Sequence, residues 1–186
     1  MKFITFDFET TGLHSQKHEI IELSFAKFAN GEIVDTFSSL VKPQSLIPDN
    51  IISLTQITPQ MVESAPSIET LAPKISTFIA NDLLIAYNAR FDKSFLNVML
   101  YKAKIHSHFN PYTCALKLAQ RALKLSYMPK LSEAVTRLGI TLPEGLHRAE
   151  VDATVTGLVV MKCLEILNWN QLDLMKLSMP LKVIKP

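Results

Sequence analysis

The stretch FITFDFETTG, residues Phe3–Gly12, decides the fold because it opens the chain as a β-strand that carries charge. Apolar and polar residues alternate over residues 2–9, which is the period of a strand. Asp7 and Glu9 fall on one predicted face, about 7 Å apart at the usual strand rise. Thr10–Gly12 then ends the strand sharply. The opposite face is apolar and consists of Ile4, Phe6 and Phe8.

The Asp7 and Glu9 pair is energetically costly unless something offsets its charge. Two close carboxylates repel each other and lose hydration on burial, whereas a hard divalent cation such as Mg²⁺ prefers oxygen ligands and neutralises both. The alternative is a strand with one solvated face, which needs no metal. The abrupt end of the strand favours the metal, because ligands of α/β sheets bind outside the carboxyl ends of strands.

The order of the predicted elements indicates an α/β domain with a mixed sheet. Residues 19–43 indicate two strands joined at Asn30-Gly31, a typical hairpin turn, with Pro43 ending the second strand. Together with the first strand they predict three consecutive antiparallel strands. The later predicted elements are a helix at 67–80, a strand at 83–88, helices at 91–100, 114–123 and 131–139, and a long final helix at 150–167.

Length and composition predict one intracellular domain. The 186 residues suit a single domain, residues 1–186, and the 48% hydrophobic content supports a real core. The net charge of +2 argues against coating DNA by charge alone, but not against a narrow site that threads one strand. Cys114 and Cys163 form no metal or disulfide pattern and suit a reducing compartment. Without an apolar leader or membrane-span pattern, the prediction is a soluble, cytoplasmic protein with no membrane contact.

A second candidate site lies in AYNARFD, residues 86–92, where a buried strand gives way to a helix. Asp92 falls in the predicted first turn, where the helix dipole favours a carboxylate. Taken alone, Asp92 is better explained as a helix-capping residue, and Asn88 as a turn residue.

A third candidate site lies in HRAEVDA, residues 147–153. Asp152 follows His147 by five residues, and in one continuous helix the two side chains would point about 140° apart. We therefore predict that His147 lies in the loop or frayed turn that enters the helix. Asp152 shares a predicted face with Val155 and Val159, where an unpaired carboxylate is costly, and this favours a ligand over a solvated residue.

The stretches FDFETTGL, YNARFD and HRAEVD resemble, in that order, the three motifs of the DEDDh exonuclease family. This ribonuclease-H-like group includes the bacterial proofreading subunit, exonuclease X and ribonuclease T. The resemblance runs from about residue 3 to residue 168, with a short helix and tail at 169–186. It implies a five-stranded mixed sheet flanked by helices on both faces, with PYT at 111–113 as the short fifth strand.

The resemblance also implies roles for single residues. The family's metal ligands correspond to Asp7, Glu9, Asp92 and Asp152, and its general base to His147. Arg148 stands where another branch of the family has Tyr, which indicates the histidine branch. Tyr87 departs from the His that is common at that non-ligand position. The residues that line the terminal nucleotide correspond to Thr10, Leu13, Asn88 and Phe91, with Leu13 as a wedge between bases.

The implied reaction is in-line hydrolysis at a 3′ end that releases nucleoside 5′-monophosphates, with two divalent ions, Mg²⁺ or Mn²⁺. His147 would accept the proton of the attacking water, because an imidazole titrates near neutral pH. The predicted substrate is a single-stranded or frayed DNA end, with apolar side chains stacking on the bases.

Two alternatives stay open. The first is a 3′–5′ exoribonuclease, since the pocket residues do not clearly read a 2′-OH. The second is an inactive exonuclease fold that only binds, and the presence of all four carboxylates and His147 argues against it.

The segment NQLDLMK, residues 170–176, resembles a bacterial sliding-clamp-binding pentapeptide, with Met175 where Phe is usual. The alternative, which we favour, is an ordinary short helix capped by Asn170. Contact with a clamp or polymerase is therefore a secondary prediction.

Overall fold

The fold is a mixed β-sheet with helices on both faces. The computed structural model describes residues 1–105, 110–141, 148–181 and 183. The strands are β1 (Lys2–Thr10), β2 (Ile20–Ala29), β3 (Glu32–Leu40), β4 (Leu84–Ala86), β5 (Pro111–Cys114) and β6 (Met179–Pro180). The helices are α1 (Asp49–Thr55), α2 (Pro59–Val62), α3 (Ile68–Ile79), α4 (Ala89–Lys102), α5 (Ala115–Ala122), α6 (Leu131–Arg137), α7 (Arg148–Leu167) and α8 (Gln171–Lys176). Among these helices, none has the length and apolar character needed to cross a bilayer.

The sheet combines an antiparallel half with a parallel half. β1, β2 and β3 pair antiparallel, as the sequence predicts, and Asn30 and Gly31 turn between β2 and β3 with φ angles of 54° and 90°. β4 pairs parallel to β1, and β5 parallel to β4, in the order β3-β2-β1-β4-β5-β6. The carboxyl ends of β1, β4 and β5 therefore lie along one edge of the sheet.

The prediction of five strands is one short. The predicted fifth strand is confirmed as β5, and a sixth, β6, pairs with it antiparallel through Tyr112 opposite Met179 and Pro111 opposite Pro180. β6 spans two residues, one of them proline, so no period-two pattern exists from which it could be predicted.

The short helices α1 and α2 were also absent from the sequence prediction. They have 7 and 4 residues, too few to display a helical period. Both contribute to a small apolar cluster in which Val62 packs with Ile21, so they cover one end of β2.

Both faces of β1 are buried, which excludes the alternative of a strand with a solvated face. Ile4 and Phe6 pack in the core cluster that includes residues of α3 and α4. Phe3 packs in the cluster on the other face, which includes residues of α5, α6 and α7, and Thr5 is also fully buried. The prediction of helices on both faces is confirmed.

Helix α7 approaches the sheet closely at Gly157. A Cβ atom on Gly157 would lie 2.1 Å from the Phe28 ring, which itself stacks on Phe3 with ring centroids 5.0 Å apart. The absent side chain therefore lets α7, which carries Asp152, sit directly on β2.

Helix α8 confirms the favoured prediction for residues 170–176. Asn170 accepts a hydrogen bond from the Leu172 amide at 2.8 Å, and Asp173 accepts one from the Asn170 amide at 3.1 Å. Gln171 bonds to the backbone of Lys2 through both its amide atoms, at 3.1 and 3.4 Å. With Leu174 fully buried, the helix is fastened to the start of β1.

Candidate active site

Asp7 and Glu9 lie near the carboxyl end of β1, on the face that α7 covers. Both are partly buried, in contrast to the fully buried neighbours Phe6 and Phe8 on the other face. Asp7 faces Ser24 of β2 across the sheet. The two predicted carboxylates are therefore held by a rigid strand at the edge where the parallel strands end.

Asp92 reaches the same edge from α4. The helix begins directly after β4, which is parallel to β1, so its first turn starts beside the end of β1. Asp92 is 3% exposed, and its Oδ1 atom has no hydrogen-bond partner among the described residues. A buried carboxylate oxygen with no partner is costly, and a cation is the partner that would best satisfy it.

The pKa values show that the carboxylates interact. Burial raises the pKa of Asp92 to about 7, backbone N–H groups of Asp92 and Phe8 oppose the rise, and the charges of Glu9 and Asp152 add to it. Burial, followed by the charges of Asp92, Asp152 and Glu9, raises the pKa of Asp7 well above its usual range. The four acidic side chains therefore lie in one region and influence one another's charge.

Asp152 joins this group from α7. It is partly buried, and burial raises its pKa. Val155 and Val159, on the predicted face, are fully buried, in agreement with the expected core-facing stripe. The structure therefore brings Asp7, Glu9, Asp92 and Asp152 together, although they come from three separate stretches of the sequence.

His147, the predicted general base, lies outside the described residues. Helix α7 begins at Arg148, the next residue. The prediction that His147 enters the helix from a loop stays a prediction.

Glu22 is an acidic residue at this site that the sequence analysis did not single out. It lies on β2 opposite Glu9, is 7% exposed, and its charge raises the pKa of Asp7. Its Oε2 atom accepts a hydrogen bond from the Ala149 amide in the first turn of α7, at 3.4 Å. The signal available in the sequence was a lone carboxylate inside an apolar strand, between Ile21 and Leu23.

The four predicted substrate-binding residues surround the same edge. Leu13, three residues after the end of β1, is 77% exposed, and its role as a wedge stays a prediction. Asn88 is exposed at the start of α4, and Phe91 is half-buried with its ring 5.0 Å from Phe95. Thr10 is buried, and its hydroxyl donates to the Gly12 carbonyl at 2.8 Å, so its side chain shapes the turn before Leu13.

The donor set fits a hard divalent cation. All four predicted ligands supply carboxylate oxygens, which Mg²⁺ and Mn²⁺ prefer, and the unpartnered Oδ1 of Asp92 supplies an open ligand position. Within the described ranges, no three acidic, His or Cys side chains are arranged to hold a single ion. The acidic side chains lie near one another in one region. They are not arranged as a complete coordination shell.

Comparison with known proteins places the chain in a family. Residues 4–160 match the sequence model of the exonuclease family. The DNA polymerase III subunit epsilon of Aquifex aeolicus is 33% identical over 163 residues, which cover 88% of this chain and 80% of that protein. The PolC-type DNA polymerase III of Thermotoga petrophila is 38% identical over 177 residues, 95% of this chain but 13% of that protein, so the chain spans only a small part of that relative.

Solved structures agree on the fold. Exonuclease X in complex with 5′ overhanging duplex DNA superposes with a TM-score of 0.76 at 23% identity, covering 94% of this chain and 98% of that one. Exonuclease I superposes with a TM-score of 0.73 at 19% identity, covering 94% of this chain and 43% of that one. Because the family model covers most of the chain and the subunit epsilon relative is 33% identical, the chain belongs to the exonuclease family.

Proposed function

We propose that this domain hydrolyses single-stranded or frayed DNA from its 3′ end and releases nucleoside 5′-monophosphates. The observation that carries the proposal is the meeting of Asp7, Glu9, Asp92 and Asp152 at one edge of the sheet, where burial and the charges of neighbouring carboxylates raise the pKa of Asp7 and of Asp92. DNA is favoured as substrate because relatives are subunits of DNA polymerase III and a structural neighbour holds duplex DNA.

The carboxylates of Asp7, Glu9, Asp92 and Asp152 would hold two divalent ions, Mg²⁺ or Mn²⁺. When bound, such ions activate a water and offset the charge that develops on the phosphate. The strand and the two helices keep the ligands in place. His147 would accept the proton of the attacking water, and its loss should remove most of the rate.

Residues beyond the carboxylates would bind the terminal nucleotide. Leu13, exposed after β1, would insert beside the last base, while Phe91 and Asn88 would line the opposite wall. Thr10 would fix the turn that presents Leu13, through its hydrogen bond to Gly12. This arrangement favours an unpaired end, because a wedge separates the terminal base from its neighbour.

The proposal is tested by digesting 3′-labelled single-stranded DNA, duplex DNA and RNA side by side, with Mg²⁺ and with Mn²⁺. We expect labelled 5′-mononucleotides, fastest from single-stranded DNA, and none with chelator or with Asp7→Asn. Asp35→Asn, at an exposed carboxylate of β3, is the matched control and should keep full activity. Faster digestion of RNA would favour the exoribonuclease alternative, and no mononucleotide from any substrate would favour the inactive binding fold.

Contact with a sliding clamp is not part of this proposal. Two residues of the pentapeptide, Gln171 and Leu174, already contact the rest of the protein. Helix α8 would have to detach before it could bind as an extended peptide.

A further inference from the structure

A groove of about 770 Å³ runs between α4, β5 and the start of α5, beside the candidate active site. We call it the α4–β5 groove. Its defining residues are Arg90, Lys93, Tyr112, Lys117, Met128 and Met179. None of these six residues belongs to the carboxylate site, and Arg90 also lines an adjoining hollow that contains Leu13 and Phe91.

The α4–β5 groove opens directly into the predicted nucleotide pocket. A hollow of about 500 Å³ contains Leu13 and Phe91, and its lining shares Asn88, Arg90 and Ser94 with the α4–β5 groove. A strand that leaves the terminal nucleotide site along α4 would therefore pass next to the α4–β5 groove.

The charge on the α4–β5 groove is positive. Arg90 and Lys117 are exposed and Lys93 is half-buried, and among the described residues no acidic one lines either the groove or the adjoining hollow. In the part of the chain that the structure describes, none of these three cations forms an ion pair with a carboxylate. For a chain whose net charge is only +2, this is a local excess that would attract a polyanion.

The remainder of the lining offers apolar and aromatic surface. Met128 and Met179 are 50% and 52% exposed. The Lys93 ammonium lies 4.7 Å from the centroid of the Tyr112 ring, so it makes a cation–π contact with an aromatic side chain of the groove lining. Cations that follow a backbone, next to aromatic and apolar side chains that contact bases, are the features of a single-strand binding surface.

We propose that the α4–β5 groove binds the nucleotides that precede the terminal one on the same strand, with Lys93 and Lys117 contacting their phosphates. This inference rests on the proposed function, since it extends the path of that substrate. A neutral peptide would use the methionines but gain nothing from the positive charge of Arg90, Lys93 and Lys117, so that charge favours the nucleic acid strand.

The test compares Lys93→Gln/Lys117→Gln with Lys74→Gln/Lys124→Gln, which removes the same charge from exposed positions outside the groove lining. Binding of labelled oligodeoxythymidines of two and eight nucleotides is measured in an Asp7→Asn background, which prevents degradation. Hydrolysis of the same substrates is measured in the active background with Mg²⁺.

We expect the groove variant to bind the eight-nucleotide strand about tenfold more weakly and the dinucleotide unchanged. The slope of log affinity against log salt for the longer strand should fall by about 1.4, because each lost phosphate contact with a single strand contributes about 0.7. KM for the longer strand should rise with little change in kcat, and the control variant should match the parent.

The inference is overturned if the groove variant binds the eight-nucleotide strand like the control, or if no oligonucleotide binds at all. If hydrolysis is normal and the groove substitutions leave the affinity for the oligonucleotide unchanged, the groove does not bind the strand. The proposed function would still hold. Binding that depends on strand length and on Lys93 and Lys117, without hydrolysis, would support the groove and overturn the proposed function.

Discussion

Glu9 on β1 and Glu22 on β2 lie directly opposite each other in the antiparallel register. Like charges in such a pair weaken a sheet. Glu22 also accepts the hydrogen bond from the Ala149 amide, so it joins β2 to the first turn of the helix that carries Asp152. We interpret Glu22 as a positioning residue that fixes α7 against the sheet.

Two replacements of Glu22 should distinguish the effect of its charge on activity from the effect of its hydrogen bond. Glu22→Ala removes the acceptor for Ala149 and should lower kcat about tenfold, because the start of α7 and Asp152 lose a fixed position. Glu22→Gln keeps an acceptor oxygen and should restore activity to within about threefold of the parent. Steady-state kinetics on single-stranded DNA measure both, and equal losses in the two variants would contradict a positioning role.

Removal of a charge from the carboxylate site should stabilise the metal-free protein. Asp7→Asn removes the cost of burying a charged group and the repulsion from Asp92 and Asp152. It should therefore raise the free energy of unfolding by about 1–2 kcal/mol. Urea denaturation in the presence of chelator measures the change. Asp35→Asn, at an exposed position, should change the stability by less than about 0.5 kcal/mol, and an equal gain there would contradict the explanation.

The stability of the metal-free protein should fall as the pH rises from about 4 to about 7. The pKa of Asp92 is about 7 when folded, against about 4 for an unfolded chain, so the folded protein holds this proton more tightly. The associated stability is present below pH 4 and is lost as the pH rises through 7. Melting temperatures across this range should show a steeper fall for the parent than for Asp92→Asn.

Divalent metal should reverse that loss, since it binds the ionised carboxylates. At pH 8, millimolar Mg²⁺ should raise the melting temperature by about 5 °C, and at pH 5 by much less. A shift of equal size at both pH values, or in Asp92→Asn, would contradict the assignment of Asp92 as a ligand.

Gly157→Ala should destabilise the domain by about 1–3 kcal/mol, because the new methyl group would meet the Phe28 ring. Phe28→Leu by itself should also destabilise. In the double variant the smaller side chain makes room, so the combined loss should be less than the sum of the single losses. Chemical denaturation of the four proteins measures this coupling, and simple additivity would exclude the contact.

Leu174→Ala should destabilise the domain by about 2–4 kcal/mol, because the Leu174 side chain, on the inner face of α8, is fully buried. Leu172→Ala, on the same helix but 71% exposed, should cost less than about 0.5 kcal/mol. Neither the parent nor Leu172→Ala should be retained by a purified sliding clamp. Retention of the parent that is lost in Leu172→Ala would show that α8 is a docking segment after all.

Local patterns were sufficient for most of the secondary structure. Asn30-Gly31 predicted its hairpin because few residues adopt the positive φ angles of that turn. The predicted final helix at residues 150–167 lies at nearly the position of α7 (Arg148–Leu167), whereas the short strand β5 was expected only from the family resemblance. Elements shorter than one full period, such as α2 and β6, were missed because they repeat nothing that a pattern can detect.

The sequence by itself determined the candidate carboxylates, since each stands where an apolar pattern makes a charge costly: Asp7 and Glu9 within a strand, Asp152 on a buried stripe. The resemblance to the exonuclease motifs implied that Asp92 belongs with them, although its position taken alone is that of an ordinary helix cap. Only the tertiary structure decided that it lies close to them. Parallel pairing of β4 with β1 brings its helix to the same edge, where burial and shared charge raise its pKa. The role of Glu22 was likewise decided by cross-strand register and by contact with α7, which depend on residues distant in sequence.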